Sequence, residues 1–455
     1  MATMANQSQI FRLPTELVQH IASFLSDDDL CSFSRTCVSF AAQVLPSNSS
    51  VWRSKFEDQY DSVQHHASEE LKIEYQTRSF VLSQAISFRH GETEQGYLWL
   101  EVLQTMILEA LLYTGREDPF QPSSKNLERI AETIQHTDFL SRPMTGYGDE
   151  TVSQPSRLFC AIQLCLTHLS FSTNYSRPCS RDDYNIEYVY SYASLFHVPL
   201  VVQGKVDLKT LLHIRNFWQR HFTSSREDTF LKSYQGISER PDTWTCPFEP
   251  RNTLKTFWLG YYSCIHPYPG TAKDLEISQT CADVGAHTAE LCANSISLEI
   301  DGNAQNWPQL LNEIIPTCAD CPTRHFFHGT QKFYSTIDSP ACYLVRGFFE
   351  PIGEPQGGIP GWARICFITY DPNRDILGAF SQEGDGQTIE QRGSTNSSFP
   401  DEDWPPSDLE WSFHYIHGFE GVILPGGRIM LGQWLDIKEE GALDCDRGPV
   451  ICWDA

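Results

Sequence analysis

Phe11-Arg-Leu-Pro-Thr-Glu-Leu-Val-Gln-His-Ile-Ala-Ser-Phe-Leu25 decides how the N-terminal end of the chain is read. Pro14 suits the first turn of a helix, where its missing N–H is not needed. Leu17, Ile21, Phe24 and Leu25 follow at i, i+4, i+7 and i+8, a single apolar stripe. Asp27-Asp28-Asp29 then supplies a cap and negative charge for a second helix carrying Leu30, Phe33, Cys37 and Phe40. Pro46-Ser-Asn-Ser-Ser50 is a turn and cap cluster, and Val51, Trp52 and Phe56 open a third short helix. Three helices of this size cannot shelter so many apolar positions, so a partner surface is expected.

Outward from this unit the pattern stays helical over 61–250, with helices expected at Leu71–Arg89, Leu98–Tyr113, Leu127–Leu140, Arg157–Phe171 and Asp207–Phe222. From about 251 to 455 the period shifts from about 3.6 to 2, with short β-rich runs between Gly, Pro and Asp clusters. Among these runs are Phe257–Cys264, Cys342–Glu350, Arg364–Tyr370, Ile376–Ser381, Glu410–Ile416, Gly418–Leu424 and Val450–Trp453. Leu424-Pro-Gly-Gly-Arg428 reads as a tight hairpin, its glycines able to take positive φ. Residues 383–410, rich in Gly, Ser, Asp, Gln and Pro, read as a long mobile loop. The expected architecture is an α+β multidomain chain. A three-helix module at 8–60 and a mainly helical connector at 61–250 precede an antiparallel β-barrel or sandwich at 251–455.

The chain has 455 residues, 40% of them hydrophobic and 12% aromatic, enough to build large cores and to exclude global disorder. Its formal charge of −25 argues against sequence-independent nucleic-acid binding. Residues 371–455 alone hold 17 acidic against 5 basic side chains, read as a solvated acidic face. Fifteen cysteines, an odd number, with no apolar leader run at Met1–Ile10, point to reduced, buried thiols in the cytoplasm or nucleus. The most apolar helical stretch, Leu98–Tyr113, contains Glu101 and Glu109 and is too short to cross a bilayer. The chain reads as soluble, with neither membrane nor nucleic acid as a partner.

Leu13-Pro14-x-Glu16-Leu17, Ile21, Phe24-Leu25, Asp29-Leu30 and Val51-Trp52 fall in order at a spacing that resembles an F-box. That module ties a receptor to the Skp adaptor of an SCF (cullin–RING) ubiquitin ligase. The resemblance implies that Leu13, Pro14, Leu17, Ile21, Phe24, Leu25, Leu30 and Trp52 form or support the adaptor contact. The C-terminal strings Arg215-Asn-Phe-Trp218, Trp258–His266, Gly421–Trp434 and Gly448–Trp453 resemble the C-terminal portions of fungal F-box proteins. A receptor of this kind positions a client protein while ubiquitin transfer occurs on other subunits, so the resemblance implies no active site.

The residues themselves offer little catalytic chemistry. There is no G-x-S-x-G elbow, no G-x-x-x-x-G-K-[ST] phosphate loop and no G-x-G-x-x-G. Cys318-x-x-Cys321-x-x-x-His325-x-x-His328 carries zinc-type ligands, but only three residues separate the pairs, and alternate residues of a strand face opposite sides. Buried thiols and structural histidines are the preferred reading, with no metal and no cofactor expected. Lys209, His213, Arg215, Arg220 and His221 make the helix Asp207–Phe222 a basic island, with Lys209, Arg215 and Arg220 a candidate contact for an acidic or phosphorylated client segment; a core helix whose polar face pairs with neighbouring Asp and Glu is the alternative. Trp258, Tyr261, Tyr262, Trp362, Trp411 and Trp434 fit barrel or sandwich cores, or the lining of a ligand cavity in a wide barrel. A small-molecule-binding β-barrel with a helical extension is therefore the alternative to the ligase receptor.

Overall fold

The computed structural model describes residues 13–61, 68–89, 91–113, 124–141, 154–172, 183–190, 199–225, 228–244, 254–263, 292–301, 324–334, 341–370, 416–436 and 447–455, with positions 144, 174 and 248. The chain divides into two compact units, Met1–Phe139 and Leu140–Ala455.

The first unit is helical: α1 (Thr15–Ser23), α2 (Asp27–Thr36), α3 (Val38–Val44), α4 (Ser50–Gln59), α5 (Ser68–Leu82), α6 (Glu94–Tyr113) and α7 (Lys125–Gln135). Pro14 sits one residue ahead of the first helix, and its carbonyl accepts the Leu17 and Val18 N–H groups at 3.1 and 3.2 Å. Ser26 caps α2: its hydroxyl accepts the Asp29 N–H at 3.1 Å and donates to the Asp29 carboxylate at 2.7 Å. The second helix expected through Phe40 is two. Cys37 takes extended dihedrals (φ −159°, ψ 154°), ending α2, and its Sγ accepts the Phe40 N–H to start α3. Across the break Phe33 and Phe40 stack with centroids 4.5 Å apart.

A buried polar network ties the later helices of this unit together. Arg78 on α5 is fully buried and donates Nη1 and Nη2 to both oxygens of Glu109 on α6, at 2.8 and 2.5 Å. Asn126 on α7 donates to Glu109 at 2.8 Å and accepts the Asp61 N–H at 3.0 Å. The Asp61 carboxylate accepts the Ser124 hydroxyl at 2.5 Å and the Lys125 N–H at 2.8 Å. A charge this deep persists only when paired, which is what the bidentate Glu109 contact provides.

The second unit begins with α8 (Arg157–Cys165), α9 (Thr167–Ser170), α10 (Ile186–Tyr190), a hairpin of β1 (Val201–Val202) and β2 (Lys205–Val206), α11 (Leu208–Thr223) and α12 (Asp228–Gln235). Eight strands follow: β3 (Phe257–Tyr262), β4 (Cys292–Asp301), β5 (His325–Tyr334), β6 (Ala341–Pro351), β7 (Ala363–Tyr370), β8 (Ile416–Ile423), β9 (Ile429–Asp436) and β10 (Arg447–Asp454). Each pairs antiparallel with the next, and β10 returns to β3 through Val450↔Tyr262 to Asp454↔Trp258, closing an up-and-down barrel. Closure leaves no free sheet edge. The hairpin at 424–428 forms as its glycines suggest, with Gly426 and Gly427 at φ 96° and 74°. The expected acidic loop, the run Ile376–Ser381 and nearly all of Glu410–Ile416 lie outside the described residues.

Alternation along the strands divides the barrel side chains into two sets. Trp258, Leu298, Phe327, Phe349, Ile365 and Ile423 belong to the interior core, with Phe367 and Phe419 stacked at 4.5 Å across β7 and β8. The opposite faces of β3 and β10 carry Tyr261 and Trp453, which pack against Phe222 of α11 at 5.4 and 6.2 Å. Tyr234 of α12 stacks on Phe222 at 4.2 Å, and the Trp453 indole donates to the Glu239 carbonyl at 2.8 Å. The helices of this unit thus cover one outer wall of the barrel with aromatic rings.

Candidate functional site

The first helix presents its apolar stripe away from the helical core. Val18 and Ala22 are buried, whereas Leu17, Ile21 and Phe24 are 49%, 50% and 77% exposed. Gln19 fixes that orientation, because its amide donates to the Gln43 carbonyl at 2.8 Å and accepts the Ser50 hydroxyl at 2.8 Å. The stripe is therefore held outward by contacts to α3 and α4 rather than left loose. Val38, at the start of α3, is 86% exposed and adds an apolar position that a continuous second helix would not have suggested.

The remaining expected contact residues take supporting places. Pro14 is exposed, and Leu13 and Leu25 are half-buried. The Leu25 carbonyl accepts the Lys55 ammonium at 2.7 Å, and the same ammonium reaches Asp27 at 2.9 Å. Tyr75 donates to that Asp27 oxygen at 2.8 Å, so the α1–α2 corner is clamped from α4 and α5. Leu30 and Trp52 are buried. The Trp52 indole donates to the Pro46 carbonyl at 3.1 Å, and Lys72 lies over its ring at 5.2 Å. These two residues shape the core beneath the exposed stripe and offer no surface of their own. The exposed stripe is suited to binding, since apolar area left in water returns about 25 cal/mol per Å² when a partner covers it.

The basic island is placed differently from its expectation. Arg215 is buried, donating to Gln219 of its own helix at 2.9 Å and to Gln163 of α8, so it belongs to a helix–helix contact and cannot meet a client. Lys209 is half-buried, 4.8 Å over the Tyr188 ring, and Arg220 is half-buried and donates to the Tyr184 hydroxyl at 3.5 Å. His213, one turn after Lys209, accepts the Asn185 N–H at 3.2 Å and stacks on Tyr188. Burial first, then the Lys209 charge, pulls its imidazole down to about 4. The island is largely a packing layer with two cationic ends.

Of the zinc-type motif, Cys318 and Cys321 lie outside the described residues. His325 and His328 stand three apart on β5, on opposite faces, and His328 pairs with Glu299 at 3.5 Å. Among the described residues no cluster of His, Cys, Asp or Glu could hold a metal ion, and no helix is long and apolar enough to cross a membrane. Of the aromatic set, Trp258 and Trp434 belong to the barrel core and Tyr262 packs against it. Tyr261 faces the helices, and Trp411 lies outside the described residues.

Comparison with known proteins adds one match. No curated protein and no solved structure matches the chain. Residues 10–58 match the F-box-like family. They span the clamped corner and the outward stripe of the first helix, and the chain accordingly carries an F-box-like domain at its N-terminal end.

Proposed function

We propose that this chain is the substrate-recognition subunit of an SCF-type ubiquitin ligase. The F-box-like domain engages the Skp adaptor, and through it the cullin–RING subunits, while the barrel unit receives a client protein. The observation that carries this reading is the stripe Leu17, Ile21 and Phe24, exposed within the residues that match the family. In this reading the chain is a non-catalytic receptor that works in the cytoplasm or nucleus. Lys209 and Arg220 offer basic groups to an acidic client segment; Arg215 does not.

Adaptor capture tests the proposal. The full chain and the triple variant Leu17→Asp, Ile21→Asp, Phe24→Asp are compared for binding to purified Skp adaptor. Point substitutions suit the test better than deletion of the domain, because Val51 and Phe56 are buried in the same helical unit. Loss of capture with an unchanged melting profile is the expected result. Equal capture by both proteins would refute the adaptor contact.

A further inference from the structure

The barrel interior is divided along its axis. At the end where β3 and β7 begin, Trp258, Leu298, Phe349, Ala363 and Met430 make an apolar plug. At the other end the inward positions include polar side chains among apolar ones. Asn294 on β4, Gln331 on β5 and Thr369 on β7 are 1%, 0% and 0% exposed, and they share the inward parity of Ile296, Phe327 and Phe367. Register places them in one arc. Asn294 stands opposite Phe333, two residues from Gln331; Gln331 faces Tyr343; Val345, two residues on, faces Thr369, and Thr369 faces His417.

Neither amide atom of Asn294, neither amide atom of Gln331, nor the Thr369 hydroxyl finds a hydrogen-bond partner among the described residues. Buried polar groups are nearly always paired, and each unpaired one costs roughly 1–3 kcal/mol. Three such groups within the four consecutive strands β4 to β7, above an apolar plug, are hard to reconcile with a core that serves packing alone. Their chemistry is specific. Each amide presents one acceptor and one donor pair side by side, the arrangement that matches an adjacent donor and acceptor on a flat ring. None of the three carries a charge, so they offer a charged guest no counter-ion for the hydration it would lose. Trp434, flanked edge-on by Tyr262 and His417 at 5.6 Å each, supplies an aromatic wall at the same end.

We infer that the polar end of the barrel is a binding site for a small uncharged heterocycle carrying an adjacent hydrogen-bond donor and acceptor. Asn294 and Gln331 read its polar edge, Thr369 adds a third contact and Trp434 packs on its face. The site lies wholly in the second unit and does not depend on the adaptor reading.

Calorimetric titration and thermal melting of the full chain test it with four probes at millimolar concentration: uracil and 2-pyridone as neutral donor–acceptor rings, toluene as an apolar ring, and benzoate as a charged one. The two neutral donor–acceptor rings are expected to bind and to raise the melting temperature, and benzoate is expected to do neither. Asn294→Leu and Gln331→Met remove the hydrogen-bonding groups at similar volume. Each is expected to weaken uracil binding at least about tenfold, one lost hydrogen bond's worth, and to melt no lower than the parent without ligand. Three results would overturn the site: neither donor–acceptor ring binds; binding survives both substitutions; or both variants melt well below the parent, which would make the amides structural groups satisfied by ordered water.

Discussion

The two units depart from the ordinary inside–outside rule in opposite senses. In the helical unit the departure is on the surface, where Leu17, Ile21, Phe24 and Val38 stand in water while the buried charge of Arg78 is fully matched by Glu109 and Glu74. In the barrel it is inside, where Asn294, Gln331 and Thr369 are buried among apolar side chains. An exposed apolar stripe is satisfied by a partner that covers it; a buried polar arc is satisfied only by something small enough to enter. The same physical bookkeeping therefore points one unit toward a macromolecule and the other toward a small molecule.

The sharpest way to break that contrast is to remove the helical unit's internal match. Arg78→Met leaves Glu109 buried without its bidentate partner and should destabilise this unit by about 3–5 kcal/mol. Denaturant unfolding followed separately for each unit, by hydrogen exchange, should show the loss confined to residues before Phe139. A uniform loss across both units would mean that Arg78 supports more than the helical unit.

Acid should separate the units next. Burial holds His213 at about 4 and His168 at about 3, both in the second unit. Below the ordinary value near 6.5 the unfolded chain takes up protons that these folded imidazoles refuse, so stability falls as pH drops from 6.5 toward 4. At 1.36 kcal/mol per pH unit His213 alone contributes on the order of 3 kcal/mol. Asp61 in the first unit runs the other way, because burial raises its carboxyl and protonation favours the folded form. Urea melts at pH 7 and pH 5 should show the second unit losing stability, with a shallower slope in His213→Gln.

A smaller effect is expected where the barrel strands approach most closely. A Cβ on Gly347 would stand 2.3 Å from the Cys366 carbonyl oxygen and 2.6 Å from the Phe327 ring. Gly347→Ala should cost about 1–3 kcal/mol through overpacking, read as a lower melting temperature of the second unit alone. The smallest stability effect belongs to the exposed stripe. Phe24→Ala should change stability by no more than about 0.5 kcal/mol, yet lower adaptor affinity by about tenfold or more if Phe24 anchors the contact. A large stability loss there would mean that the stripe is part of the core after all.

Much of this was legible in residue order. The cap at Asp207 is seen in the structure, its carboxylate accepting the Thr210 N–H at 3.1 Å, and the Pro-Gly-Gly hairpin forms between β8 and β9. The apolar stripe of α1 was visible as a stripe, but its direction was not. Val18 and Ala22, the smaller set, face the core, because short side chains let α3 and α4 approach while Gln19 locks the rotation. Arg215 looked like a surface cation from its neighbours Lys209 and Arg220. Only the arrival of Gln163 from α8, 52 residues earlier in the chain, turned it into a buried contact.

Residue order alone set which stretches are helical and which alternate, since caps, turns and alternation act over a few residues, but not every boundary: α2 and α3 read as one helix, and Ser26 rather than the aspartates caps α2. It determined too that the N-terminal helices had more apolar side chains than they could bury. The tertiary structure alone decided that the sheet closes, because closure depends on β10 meeting β3, with Asp454 opposite Trp258 across nearly 200 residues of chain. It also decided that Asn294, Gln331 and Thr369 share one interior end. Each strand has two faces, and which one becomes the inside is settled only when all its neighbours are in register.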